Sequence, residues 1–307
     1  MKLIKKPPRN NELPKISNKI KGCIVTDHGI PGKYYNCIET YYNVIEDIAN
    51  LKSLPGYLKK HDLFFINATP ESLKSIPLLK QEKKFTIIFL ECSGAFRNHD
   101  YLKYYDYINS ADLVLTQFGD PYLSILESYF DVPMVFFGVP ADIEYISNFT
   151  KNIKKEKKIH CWDLSGRNEF NSQTNFALCK KFEGYKVYSS SIHPVFKKYL
   201  DCYEIGVLSQ YEYWKFLASC SLSINMMDRI TWGRHYIECC AVKTPIISSY
   251  CGAADLCGLP YRNEYDLSDI EKINFDRIKI LQPDVMKEKL KTIIQYHLKS
   301  DNYRILP

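Results

Sequence analysis

Short apolar runs, separated by mixed stretches, set the pattern of this chain. Residues 22–25, 63–66, 85–90, 113–115 and 134–137 are almost wholly apolar and too brief for helices. Runs of this kind predict strands of a parallel sheet buried on both faces. Helical segments fall between them. In 106–117 a helix end leads into Ala111-Asp112-Leu113-Val114-Leu115, and 121–129 supplies the next helix. A second block repeats the order, with a strand at 158–163, a loop at 164–169, a helix at 173–182 and a strand at 185–189. Further on, Tyr211, Trp214, Leu217 and Ala218 form one helical stripe, and Ser209 stands where an N-cap belongs. The apolar run 222–226, a helix opening near Gly233, a strand at 245–249 and a last helix at about 283–299 complete the pattern. Strand and helix alternate throughout, which predicts an α/β fold in two blocks. The polar, lysine-rich run 148–158 reads as the linker between them.

The densest chemistry lies in 231–249, TWGRHYIECCAVKTPIISS. Gly233 and Arg234 stand at a helix start, where free backbone N–H groups and a guanidinium can converge on a diphosphate. Glu238 falls one turn further along the same helix. Ligands of open α/β sheets bind at the carboxyl ends of the strands. The loop Thr26-Asp27-His28-Gly29-Ile30-Pro31-Gly32-Lys33 follows the opening strand, and its glycines permit a tight turn. Asp27 or His28 can position or deprotonate a hydroxyl, a task for which histidine has a near-neutral pKa; both are equally ordinary turn residues. Glu91-Cys92-Ser93-Gly94, with His99-Asp100 soon after, is a second candidate loop, and helix-cap or surface roles suit it as well. Phe118 and Tyr122 either line a cleft or build core.

Composition narrows the class. The chain has 307 residues, 46% hydrophobic, enough for two packed domains. No stretch has the roughly 18 to 20 apolar residues of a membrane span, and the N-terminus lacks a signal-peptide core. A cytoplasmic location is the expectation. Eleven cysteines without metal spacing predict reduced structural thiols and no bound metal, with Cys239 and Cys240 packed in a helix. The net charge of +6 resides in residues 1–21, which hold seven Lys and Arg against one Glu. Such a tail, broken by prolines, reads as a flexible solvated terminus, with anionic lipid or nucleic acid as its alternative partners.

Taken together, Gly233-Arg234, Glu238, the small pair Cys240-Ala241, Pro245 and the strand to Ser249 resemble the nucleotide-binding signature of GT-B fold glycosyltransferases of the family 4 (group 1) type. Gly138-Val139-Pro140-Ala141-Asp142 resembles the hinge with which that family leaves its first domain, and 252–256 resembles the small-residue turn after its last strand. The chain departs from the pattern at Ile230, where the family often carries an earlier Glu, and at Lys243, where a Gly usually precedes Thr-Pro. Asp228 or Thr231 is the available substitute for the missing carboxylate.

The resemblance implies two Rossmann-like domains facing each other across a cleft. An acceptor-side domain would occupy 21–145 after a basic tail at 1–20, and a nucleotide-sugar-binding domain 150–282. A helix over 283–307 would return toward the first domain. It further implies that Glu238 holds the donor ribose, and that Arg234, Gly233, Thr231 and Arg167 lie at the nucleotide, with Arg167 equally readable as an exposed loop arginine. Asp27 and His28 would serve the acceptor. The expected reaction is a retaining, metal-independent sugar transfer. The donor would be a UDP-sugar first and a GDP-sugar second, and the acceptor a surface glycan or lipid carrier. The alternatives are a phage-type DNA base glycosyltransferase, a sugar-nucleotide epimerase, and a non-catalytic nucleotide-sugar-binding relative.

Overall fold

A computed structural model describes residues 19–27, 44–90, 103–166, 169–227, 231–260 and 273–300. Two all-parallel sheets carry the chain. The first holds β1 (Ile20–Val25), β2 (Ile45–Ala49), β3 (Leu63–Asn67), β4 (Phe85–Leu90), β5 (Leu113–Thr116) and β6 (Met134–Phe136) in the order β2-β1-β3-β4-β5-β6. The second holds β7 (Glu156–Cys161), β8 (Lys186–Ser189), β9 (Cys202–Glu204), β10 (Cys220–Asn225) and β11 (Ile246–Ser248) in the order β11-β10-β7-β8-β9. In each sheet the chain starts on a strand, winds to one side, then returns to the other side of that strand. The order therefore reverses beside β1 in the first sheet and beside β7 in the second. At such switch points the connections diverge and leave a crevice above the strand ends.

The chain forms two compact units. Among the described residues, one runs from Asp142 to Lys279; the other joins residues 19–141 with residues 280–300. In the N-terminal unit Phe64, Ile66, Ile88, Leu90 and Val114 pack with Leu73, Ile76, Leu79 and Ile108, all of them fully buried. Each such side chain contributes about 1.5–3 kcal/mol by leaving water. The helix Pro283–Ser300 belongs to this unit: Met286, Leu290 and Ile294 make a buried stripe at a spacing of four, and Ala141 N–H donates to Leu281 O at 2.8 Å.

In the C-terminal unit the two faces of the sheet differ. Ile159, Cys161, Leu222, Ile224, Val187 and Ile247 point to one face and pack with Leu178 and Cys179 of the helix Glu169–Cys179. The alternate residues His160 and Ser223 point to the other face, toward the helices Gln210–Ser219 and Arg234–Ala241. That second face carries the polar chemistry.

Three expectations need correction. Residues 148–158 are not a linker: they contain the last turn of the helix Ile143–Thr150 and the start of β7. Phe149 packs against Tyr211 at 4.9 Å between ring centroids, and the Tyr145 and Tyr211 hydroxyls lie 3.0 Å apart. Lys155 turns its ammonium inward to Thr244 Oγ1 and Val242 O, where desolvation lowers its pKa to about 8. Lys151, Lys154 and Lys157 are exposed, but they lie at a helix end, in a short connection and on β7 rather than on a solvated tether. Gly252–Leu256 is a short helix, not a turn. Finally, β2 and β9 escaped the sequence pattern because charges interrupt the first and the second is a three-residue edge strand.

Candidate functional site in the C-terminal unit

One side chain ties together the carboxyl ends of β7 and β10. Asn175 donates through Nδ2 to Asp163 O at 3.2 Å, just past β7, and accepts Met226 N–H at 2.8 Å, just past β10. The loop after β7 is pinned in turn. Asp163 Oδ1 accepts from Ser165 N–H at 2.9 Å and from Ser165 Oγ at 2.8 Å. Gly166, at φ +77°, donates its N–H to Ser172 Oγ at 3.0 Å.

The helix Arg234–Ala241 opens beside these strand ends. Its N-cap, Gly233, has φ +85°, and a Cβ there would lie 2.6 Å from the Cys251 side chain, so only glycine fits. Thr231 bridges to Cys251, and its carbonyl accepts Gly252 N–H at 3.0 Å. These contacts fix the loop that presents the helix start.

Arg234 and Glu238 meet one turn apart, with Arg234 Nε 3.3 Å from Glu238 Oε1. Gln210 closes the group from the neighbouring helix. It accepts from Arg234 Nη2 at 3.0 Å and donates to Glu238 Oε1 at 2.8 Å. Trp214 Nε1–H adds a third donor to the same oxygen at 3.2 Å. Glu238 is buried, whereas the Arg234 side chain keeps 34% exposure, enough to meet an anion. Ser209 holds Gln210 at the first position of its helix through a complete capping box with Glu212.

Under this helix runs a buried hydrogen-bond chain. Tyr213 OH lies 2.7 Å from His235 Nδ1, His235 Nε2 lies 2.8 Å from Ser223 Oγ, and Ser223 Oγ lies 3.0 Å from His160 Nδ1. One consistent proton order has each hydroxyl or N–H donating in turn toward His160. Burial lowers the His160 pKa to about 3 and holds that of His235 well below its ordinary value. Both rings are therefore neutral, and they position the helix rather than supply charge.

The structure thus brings Gly233, Arg234, Glu238 and Thr231 onto one loop and helix start of the C-terminal unit. Arg167 and His28 lie outside the described residues, as do Asp228, Ile230, the loop 91–94 and His99-Asp100. Asp27 is exposed at the carboxyl end of β1, where its Oδ1 accepts from Thr69 Oγ1 at 2.9 Å beside the end of β3. Phe118 is core, with Tyr122 at its edge. Gln210 and Trp214 were not legible as site residues, since no local motif ties them to Glu238 across 24 to 28 positions. Among the described residues, Glu46, Asp47 and His61 form a cluster with metal-ligand spacing, but the Lys60 ammonium and His61 Nε2 already hold Asp47 Oδ2. All nine described cysteines are free thiols, with Cys239 and Cys240 buried in their helix.

No protein-family model and no curated protein sequence matches the chain. Solved structures do. An α,α-trehalose-phosphate synthase (UDP-forming) from Burkholderia vietnamiensis superposes with a TM-score of 0.60 at 10% identity, over 80% of this chain and 77% of that one. An alpha-glucosyltransferase in complex with UDP-glucose and DNA containing an abasic site gives 0.53 at 12% identity, over 90% and 95%. A trehalose-6-phosphate synthase gives 0.56 at 12% identity, over 80% and 74%. At such identities the likeness speaks for architecture, and with the two parallel sheets it establishes that the chain has the GT-B fold, built from two Rossmann-like domains.

Proposed function

We propose that the chain is a glycosyltransferase that binds a nucleotide-sugar donor, a UDP-sugar first, in its C-terminal unit. The Arg234–Gln210–Glu238 group at a glycine-opened helix start, beside a switch-point crevice, carries this reading. The structural neighbours support it, since one binds UDP-glucose and another is UDP-forming.

Sugar departure leaves a diphosphate whose negative charge grows in the transition state. The N–H groups of the Arg234–Ala241 helix and the Arg234 guanidinium face that charge, and water exclusion strengthens both. In this reading Glu238 exchanges part of its internal hydrogen bonding for the ribose hydroxyls, and Gln210 follows Arg234 as it turns to the phosphates. Arg167 adds a second cation. Asp27 and His28 serve the acceptor hydroxyl, and the transfer retains anomeric configuration without a metal. Surface glycan or a lipid carrier is the first acceptor class. DNA is the second, favoured by the DNA in one neighbour's complex and by the basic residues before position 22. It requires duplex binding that weakens steeply as salt rises.

The test is calorimetry with UDP-, GDP-, TDP- and ADP-sugars on the wild type, Arg234→Ala and Glu238→Ala, with denaturation curves as a folding control. One donor series should bind, and each variant should lose at least about tenfold in affinity, the worth of one charge-assisted hydrogen bond. Unchanged affinity in both variants would remove these residues from the donor site. Donor binding without turnover on any acceptor would favour a non-catalytic relative.

A further inference from the structure

The carboxyl edge of the second sheet carries a row of residues that the proposed donor site has not yet used. Asn225 of β10 pairs in register with Ser248 of β11. On the other side Ile224 pairs with Cys161, so Trp162 stands one residue on, level with Asn225. Trp162 N–H donates to Ile224 O at 2.9 Å, which fixes that level. Side chains alternate along strands, so Ser248, Asn225 and Trp162 share the face of His160 and Ser223, the face covered by the Arg234–Ala241 helix.

Three observations make this row a candidate subsite. Asn225 is 7% exposed and its Oδ1 has no hydrogen-bond partner; Ser248 is 3% exposed and its Oγ has none. A buried acceptor left unmet costs about 1–3 kcal/mol, and two in register call for an explanation. Trp162 is 42% exposed, while the chain's other tryptophans, Trp214 and Trp232, are 1% and 2% exposed. Its indole is backed by His235, 4.9 Å away between centroids, in the first turn of the helix that carries Arg234. Tyr213 and Ser223 lock that imidazole, so the indole rests on a fixed support.

We infer that Trp162, Asn225 and Ser248 form the subsite for the transferred sugar of the donor. The inference rests on the donor reading above. A pyranose offers an apolar C–H face to an indole and hydroxyls that donate to an amide oxygen or exchange bonds with a serine hydroxyl. The sugar is joined directly to the diphosphate, which suits a row that abuts the first turn of the Arg234 helix; Glu238, one turn further on, takes the ribose. Both polar atoms are closed off from solvent, so the sugar reaches them through a local opening.

Trp162 is its own reporter, since it alone supplies solvent-exposed indole emission. The experiment titrates the full chain with UDP and UDP-glucose, and with the GDP, TDP and ADP pairs, reading tryptophan fluorescence and acrylamide quenching alongside calorimetry. The sugar nucleotide of the bound series should shift the emission and shield Trp162, and the bare diphosphate should do so far less. Trp162→Ala should weaken the sugar nucleotide at least about tenfold more than the diphosphate, with Trp162→Phe intermediate. Asn225→Ala should show the same selective loss while gaining stability in denaturant, because it deletes an unmet acceptor. Equal responses to diphosphate and sugar nucleotide would assign Trp162 to the nucleotide and overturn the inference. So would calorimetric binding with no change at Trp162, and in both cases the donor reading survives. If neither ligand of any pair binds, the donor reading falls and takes the subsite with it.

Discussion

Glu238 illustrates how a residue can be conspicuous in sequence while its surroundings are not. Its place four residues after Arg234 follows from helix geometry, and their contact is a local i,i+4 pair. The donors Gln210 and Trp214 arrive from another helix, which no local spacing signals. His160 and His235 make the same point in the interior. Each is neutral because burial disfavours the imidazolium, so its folded pKa lies below the unfolded value near 6.5. Below that pH the unfolded chain binds protons that the folded chain refuses. Stability is therefore flat in this respect above pH 7 and falls on acidification, by about 2 kcal/mol per histidine at pH 5. Denaturant midpoints between pH 7.5 and 5 should show this loss. His160→Asn, which leaves a polar atom near Ser223, should cut the slope by about half; an unchanged slope would mean that other groups set the acid response.

At the scale of elements, helix ends reveal a cost that composition hides. The Arg234–Ala241 helix stops in a Schellman motif: Thr244 N–H reaches Cys239 O at 2.8 Å and Lys243 N–H reaches Cys240 O at 3.0 Å. Lys243 holds the left-handed position of that motif, at φ +56°. This is the place where the resembling family usually has glycine, and the backbone accounts for that preference. Lys83 ends Ile76–Gln81 in the same way, at φ +53°, with Lys84 N–H bonded to Leu79 O at 2.9 Å. Left-handed backbone costs an L-residue about 1–2 kcal/mol, partly offset by glycine's greater unfolded freedom. Lys243→Gly and Lys83→Gly should each raise stability, by up to about 1 kcal/mol, in thermal or denaturant unfolding. A fall in stability in both would show that the lysine stems contribute more than the strain takes away. Strand existence was legible wherever the run was apolar and central. It failed at β2 and β9, where pairing partners rather than local pattern make the strand.

For the whole molecule, the last helix joins the unit of β1 to β6. Leu290 is fully buried there, and Lys289 Nζ lies 5.5 Å from the Phe137 ring centroid. Leu290→Ala should destabilise the N-terminal unit by about 2–5 kcal/mol, the usual range for a buried leucine, though residue 290 lies more than 150 positions from the core residues of that unit's sheet. Amide hydrogen exchange should place the loss on β3 to β6; a loss confined to the C-terminal unit would contradict the packing. Among the described residues no helix is long and apolar enough to cross a membrane. By itself the sequence determined the α/β alternation, most strands, and the Gly233–Glu238 helix start, because apolar period, glycine and capping chemistry act within a few residues. Only the tertiary structure decided that Gln210 closes on Arg234 and Glu238, that two histidines share Ser223, and that Trp162, Asn225 and Ser248 stand in one row. Those contacts join residues tens of positions apart, and their distances are set by sheet register and helix packing, which local pattern does not encode.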